Sequence, residues 1–319
     1  MIEYRTFRNS DPPVLAAIWA SRAGQRGLTQ PVSPDLLEQI VFAKLYFDYD
    51  ALFVAWEDGR PVGFAHAGFG PDESESELST EMGVTSLVMV RPDCSELEVA
   101  SGLLGRCEDY LHRNGAKVLY GGGIRPLNPF YIGLYGGSEL PGVLDSDTIA
   151  RQLYPANGYQ EIDRTIILQR ELSGFEAPID RNQMQIRRRM IVEVEVDPRP
   201  RTWWEACTTG DFDITRFELL TRSGDPAVAR ATFRSMASSG TYTAGGGSGL
   251  IDLWVDQSLR RRGLAVFVLS EACRQFIRDG VSRLEAQVMI HNVAALGVYR
   301  RLGFQQIGQG SVFRKEQTP

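Results

Sequence analysis

WVDQSLRRRGLAVFVLSEACRQF, residues 254–276, sets three consecutive arginines against a glycine at the mouth of an amphipathic helix. Just upstream the strand-like LIDLWVD runs out at Asp256, QSL makes a turn, and Gly263 opens the helix. At a helix N-terminus several backbone N–H groups lack partners and the macrodipole is positive, so an anion gains hydrogen bonds and field together. A glycine at position 263 lets the backbone approach an anion with no side chain in the way. Arg260, Arg261 and Arg262 add charge around it. The arrangement suits a diphosphate, against the blander reading of a solvated basic turn. No GxxxxGK[ST] occurs in the chain, so this is not a Walker loop. A Rossmann fingerprint is absent too, because GGGSG at 245–249 leads into a strand where that motif requires a helix.

A second motif follows some 30 residues on, in LEAQVMIHNVAALGVYRRLGFQQIG, which reads as strand, helix, strand. The pair VxxxxRRRGLA and NxxAxxxYxxLGF, in this order and at this separation, resembles the GNAT family of N-acetyltransferases. Arg260 to Ala265 match that family's [QR]xxGx[GA] loop; Asn292, Ala295, Tyr299, Gly303 and Phe304 match its last helix. The resemblance implies that backbone N–H groups of residues 261–266, including Leu264, Ala265 and Val266, bind the pyrophosphate of acetyl-CoA, with Asn292 nearby. It also implies that the pantetheine arm lies against LIDLWVD near Leu253 and Val255. Family members splay two parallel strands at this point; here they are LIDLWVD and LEAQVMI.

An amine attacks a thioester only when neutral, and an alkylamine with a pKa of about 10 is mostly protonated at neutral pH. A carboxylate or a relayed water must take that proton. Asp252 and Glu285, on the two strands expected to splay, are the available carboxylates, with Asp252 preferred; each is equally readable as a solvent-facing strand residue. Tyr299 matches the tyrosine that many family members use to protonate the leaving thiolate, a role suited to a phenol with a pKa of about 10. Its alternative is to pack its ring between helix and sheet. The strand N–H near Val255 would polarise the thioester oxygen.

The chain repeats itself. Gly59 matches Gly224, Pro61 matches Pro226, Val90 matches Val255 and Gly115 matches Gly280, all at an offset of 165. The tail of each half aligns at 145 instead: Ala150 with Ala295, Tyr154 with Tyr299, Gly158 with Gly303. The first half therefore carries about 20 extra residues between its fifth strand and last helix, in GGGIRPLNPFYIGLYGGSELPG, 121–142. Glycines, prolines and aromatics mark an ordered loop, and a lid over an acceptor pocket is one reading of it.

The expected fold is α/β, in the sense of an α+β mixed sheet: two tandem GNAT-like domains, residues 1–175 and 176–319. Each is a mostly antiparallel twisted sheet with helices on both faces and a splayed central parallel pair. The join falls in SGFEAPIDRNQ, 173–183, unless the halves share strands and no clean boundary exists. Where the second half has Arg260, Gly263 and Ala265, the first has Ser95, Glu98 and Ala100, and a carboxylate at the helix mouth repels phosphate. The first domain reads as degenerate scaffold and substrate wall. This tandem layout is similar to the mycothiol synthase branch of that family, in which the C-terminal half is catalytic.

Composition narrows the alternatives. A net charge of −6 argues against nucleic-acid binding by RRRGLA together with QIRRRM, 185–190. A non-catalytic acyl-CoA-binding or regulatory module is the closer rival, and a small-molecule or peptide amine is the expected acceptor. No apolar run approaches the roughly 20 residues that cross a bilayer, so no membrane partner is expected. The opening MIEYRTFRNSDPP lacks the apolar stretch of a secretion signal, which points to the cytoplasm. Cys94, Cys107, Cys207 and Cys273 form no CxxC pair and read as free buried thiols. The three histidines show no HExxH spacing, so no metal is expected. Monomer and homodimer are both compatible with this reading.

Overall fold

The computed structural model describes residues 1–222, 226–236 and 246–316. Gly224 and Gly245, used in the sequence reading, lie outside the described residues. The first half contains β1 (Ile2–Thr6), α1 (Pro12–Ala20), α2 (Pro34–Leu37), β2 (Leu52–Glu57), β3 (Arg60–Pro71), β4 (Leu78–Val90), α3 (Glu96–Arg113), β5 (Val118–Gly121), β6 (Val143–Leu144), α4 (Thr148–Ala156) and β7 (Gln160–Glu171). The second contains α5 (Arg181–Arg189), β8 (Met190–Val196), α6 (Trp203–Thr209), β9 (Ile214–Thr221), β10 (Ala229–Ser235), β11 (Gly247–Val255), α7 (Leu264–Arg278), β12 (Arg283–Met289), α8 (Val293–Arg301) and β13 (Gln305–Glu316).

Two compact units emerge, one of Met1–Thr165, Pro200–Asp211 and Gln309–Pro319, the other of Ile166–Arg199 and Phe212–Gly308. This division differs from the boundary expected at 175/176. The closing strand of each half, β7 or β13, is divided between the units, so the halves do share strands. In the first unit the sheet order is β1-β2-β3-β4-β5-β13, and β6 also pairs with β13. In the second it is β7-β12-β11-β10-β9-β8. The pairs β4–β5 and β11–β12 are parallel, while β2–β3, β3–β4, β9–β10 and β10–β11 are antiparallel. Phe313 shows why the exchange is stable: it is 3% exposed in the first unit's core, its ring stacked at 5.5 Å on Tyr154.

Helical spacing of apolar residues places one long helix on each sheet. α3 buries Val99, Leu103, Leu104, Cys107 and Leu111, and α7 buries Val268, Leu269, Ala272, Cys273 and Phe276. Each large aliphatic side chain so covered contributes about 1.5–3 kcal/mol. Cys107 and Cys273 are buried as expected; Cys94 and Cys207 are half-buried, and all four are free.

The inserted loop is interior, contrary to its reading as a lid. Residues 127–132 and 134–136 are buried. Thr29 N donates to Leu134 O at 2.9 Å and Tyr46 Oη to Pro129 O at 2.8 Å. Room is made by β3, where a Cβ on Gly68 would lie 2.9 Å from the Phe130 ring and one on Gly70 2.5 Å from Leu127. By ladder register the second half has Arg234 where the first has Gly68, since Arg234 pairs with Gly249 as Gly68 pairs with Val84. Conformational entropy explains the choice of an ordered filler, since aromatic rings immobilise few rotatable bonds for the area they cover.

His66 on β3 is sealed in this filling. It is fully buried, its ring stacked at 4.0 Å on Phe130 and its Nδ1 3.1 Å from Tyr131 Oη. Burial disfavours the imidazolium and pushes the His66 pKa down to about 3. The unfolded chain takes up this proton near pH 6.5, so the stability held above that pH is lost as pH falls toward 3. Between pH 7 and pH 5 the loss amounts to about 2 kcal/mol from this residue. Urea midpoints of wild type and His66→Gln at both pH values check it: the variant should show the shallower pH dependence, and equal slopes would contradict the assignment.

Candidate active site

In the second unit the parallel ladder runs from Gly247↔Arg283 to Leu250↔Ala286 and stops, although β11 continues to Val255 and β12 to Met289. On its other edge β11 stays paired with β10, Leu253 opposite Ala231 and Val255 opposite Ala229. The register shifts between Thr232 and Phe233, leaving Ile251 as an extra residue. A bulge increases local twist, which turns the end of β11 away from β12. This is the splay expected of LIDLWVD and LEAQVMI, and Leu253 and Val255 stand along it.

Beyond Val255 the chain tightens. Asp256 accepts hydrogen bonds from Ser258 N at 2.8 Å and Ser258 Oγ at 2.5 Å, which hold its carboxyl below the usual range and fix a short 3-10 turn at Gln257–Leu259. Arg260 Nε donates to Val255 O at 3.3 Å. The side chains of Arg260, Arg261 and Arg262 are exposed. Arg261 has φ +62° and Gly263 φ +79°, and α7 begins at Leu264 with no side-chain cap. A left-handed residue followed by right-handed ones turns successive N–H groups to one side, the concavity that receives anions. Leu264 and Val266 bury their side chains while Ala265 is half-buried, so the helix mouth is held from beneath.

The structure revises the reason for glycine at 263. Beyond its positive φ, a Cβ there would lie 2.6 Å from Asn182 Nδ2 and 3.0 Å from Gln183 Nε2. Both belong to α5, which opens at Arg181 inside the stretch that sequence composition marks as linker.

The other sequence candidates fall on the flanks. Asn292 caps α8, its Oδ1 accepting from Ala295 N at 3.1 Å. Tyr299 is 4% exposed, its ring 5.4 Å from Phe304, in the apolar cluster that also contains Leu250, Val266, Ala286 and Val288. Asp252 lies 3.2 Å from Arg230 Nε, and Arg230 also sits over the Trp254 ring at 5.4 Å. Glu285 is 6% exposed, opposite Gly249 in the ladder, and so is not the solvent-facing carboxylate of the plainer reading. Arg230 was missed in sequence because its partner Asp252 is fixed only by the β10–β11 register. Among the described residues no group of His, Cys, Asp or Glu is arranged to hold a metal ion, and no helix is long and apolar enough to cross a membrane.

The first unit repeats the frame and fills it. Its ladder runs from Met82↔Val118 to Thr85↔Gly121, each residue 165 before its counterpart, with a bulge at the matching place. Tyr154 Oη donates to Thr85 O at 3.3 Å, on the last rung. At the mouth of α3 stand Glu96 and Glu98, and Arg22 bridges Glu96 to the end of β4, donating to Val90 O at 2.6 Å.

Comparison with known proteins agrees with this geometry. The acetyltransferase (GNAT) family model matches residues 20–136 and 190–304, together more than half the chain. The chain belongs to the GNAT acetyltransferase family, as two tandem GNAT-like domains. Among solved structures it is similar to a GCN5-related glucosamine N-acetyltransferase region in a fungal multi-domain GH3 beta-N-acetylglucosaminidase, with TM-score 0.69 and 17% identity over 99% of this chain. The chain spans 38% of that protein's length. It is also similar to a tandem GNAT protein from the clavulanic acid biosynthesis pathway, with TM-score 0.65 and 14% identity over 100% of this chain and 99% of that one. A GCN5-related N-acetyltransferase from Sphaerobacter thermophilus gives TM-score 0.62 and 17% identity, over 100% and 96%. At these identities the likeness is one of fold. No curated protein matches the chain.

Proposed function

We propose that this chain transfers an acetyl group from acetyl-CoA to a primary amine of a small molecule or peptide, by direct attack, at a site in its second half. The observation that carries the reading is the end of the β11–β12 ladder at Leu250↔Ala286, directly followed by the left-handed Gly263 at the uncapped mouth of α7. An opening between parallel strands accepts an extended arm as an added strand, and the helix mouth accepts the anion at its end.

Residues 261–266 hold the diphosphate through their N–H groups, with the exposed guanidinium groups of Arg260, Arg261 and Arg262 around it. Leu253 and Val255 offer main-chain groups to the pantetheine arm, and Asn292 borders the cofactor from the start of α8. Bound acetyl-CoA supplies an activated acetyl thioester. Asp252, held by Arg230, takes the proton from the amine; Glu285 is the alternative base. Tyr299 donates its hydroxyl proton toward the sulfur, in the place where its counterpart Tyr154 reaches the last rung of the first ladder. The first half serves as scaffold: its helix mouth carries two carboxylates, and its inserted loop fills the interior.

Titration calorimetry with acetyl-CoA, combined with thiol release over panels of amines, amino acids and peptides, tests the proposal. One acetyl-CoA per chain and acceptor-dependent thiol release are expected. Binding without release for any amine would support a non-catalytic acyl-CoA module, and no binding would reject both readings.

A further inference from the structure

We propose that Asn182 and Gln183 are positioning residues that aim the N–H groups of the 261–266 turn at the cofactor's diphosphate. The inference rests on the acetyl-CoA reading above. Asn182 Nδ2 donates to Arg262 O at 2.8 Å, and Gln183 Nε2 donates to Gly263 O at 3.2 Å. In a planar trans peptide the C=O and N–H point in opposite directions. The Arg262 carbonyl shares its peptide plane with the N–H of Gly263, and the Gly263 carbonyl shares its plane with the N–H of Leu264. Holding both carbonyls against α5 therefore turns both N–H groups away from α5, toward the side left open for an anion. A carbonyl that accepts a hydrogen bond also polarises its own peptide, making the N–H a stronger donor. Gly263 O carries a second such bond, from Phe267 N at 3.1 Å.

α5 is anchored well enough to do this. Its N-cap Asp180 accepts from Gln183 N at 2.8 Å and is paired with Arg301 of α8. Ile186 is buried in one cluster with Leu264 and Phe267, and Arg187 reaches Glu271 of α7 at 2.7 Å. Gln183 is itself 7% exposed, so its amide is fixed rather than sweeping through solvent. The first half lacks the device. α5 precedes β8, the outer strand of its sheet, whereas every helix of the first half follows β1, the strand in the matching place. The helix that holds these carbonyls thus occurs in the half with a left-handed glycine at the helix mouth and has no counterpart in the half with Glu98 there.

Neutral replacements of similar length separate aim from charge: Asn182→Leu, Gln183→Met and the double variant. Each single change should weaken CoA binding by about tenfold and the double by about 100-fold, the range for lost charge-assisted hydrogen bonds. Pantetheine, the same arm without the diphosphate, serves as the second probe, followed by ligand-observed NMR. Its affinity should be equal in wild type and variants. CoA affinity unchanged in the variants would overturn the proposal, and so would a parallel fall in CoA and pantetheine binding, which marks general loosening. A wild-type chain with no affinity for CoA would instead overturn the acetyl-CoA reading itself.

Discussion

Gly263→Glu should abolish acetyl-CoA binding, with affinity lower by at least about 100-fold, while the fold persists. A non-glycine residue held at φ +79° carries a strain of about 1–2 kcal/mol. Its Cβ would stand 2.6 Å from Asn182 Nδ2, so α5 or the turn must shift and the carbonyl-holding contacts are lost. The carboxylate then occupies the positive end of α7, where it competes with the phosphate for the same N–H groups. These effects together exceed the roughly 2.7 kcal/mol that corresponds to 100-fold. Gly263→Ala isolates the first two and should fall between wild type and Glu. Calorimetry gives the affinities and circular dichroism the melting temperatures; a Glu variant that binds acetyl-CoA within threefold of wild type would contradict the account of the helix mouth.

Tyr299→Phe should lower kcat by about 100-fold or more, the usual contribution of a positioned proton donor, with acetyl-CoA affinity within twofold of wild type. The ring stays, so the 4%-exposed packing against Phe304 and its neighbours stays too. Only the hydroxyl is lost. Steady-state kinetics on the best acceptor from the amine panel checks the rate, and calorimetry checks the binding. Equal turnover would assign Tyr299 to packing and leave the thiolate to be protonated by solvent. The parallel change Tyr154→Phe, on the filled side of the repeat, should leave kcat unchanged.

The repeat was the most legible feature of the sequence. An offset of 165 read from single glycines and a valine holds rung for rung in the two parallel ladders, Met82↔Val118 with Gly247↔Arg283 and Thr85↔Gly121 with Leu250↔Ala286. That is because register along a buried sheet is set by the same residues that make the pattern visible. The arginine–glycine turn was legible for a local reason, since a helix mouth is built from consecutive residues. What escaped was long-range. Alternation identifies β13 as a strand, yet nothing local says that its end completes the first unit's sheet beside β5. The inserted loop advertised order through its aromatics, but its burial depended on Gly68 and Gly70, about 60 residues earlier. Asp180 and Gln183 carried a readable helix start inside an apparent linker, while the carbonyls held by Asn182 and Gln183 lie 80 residues downstream.

Crystallisation of the chain with CoA would test the central claim most directly. The expected map shows the diphosphate on the main-chain N–H groups between residues 261 and 266, with the pantetheine arm entering beside Leu253 and Val255. Diphosphate density at the mouth of α3, around Ser95 to Ala100, with none at α7 would contradict it.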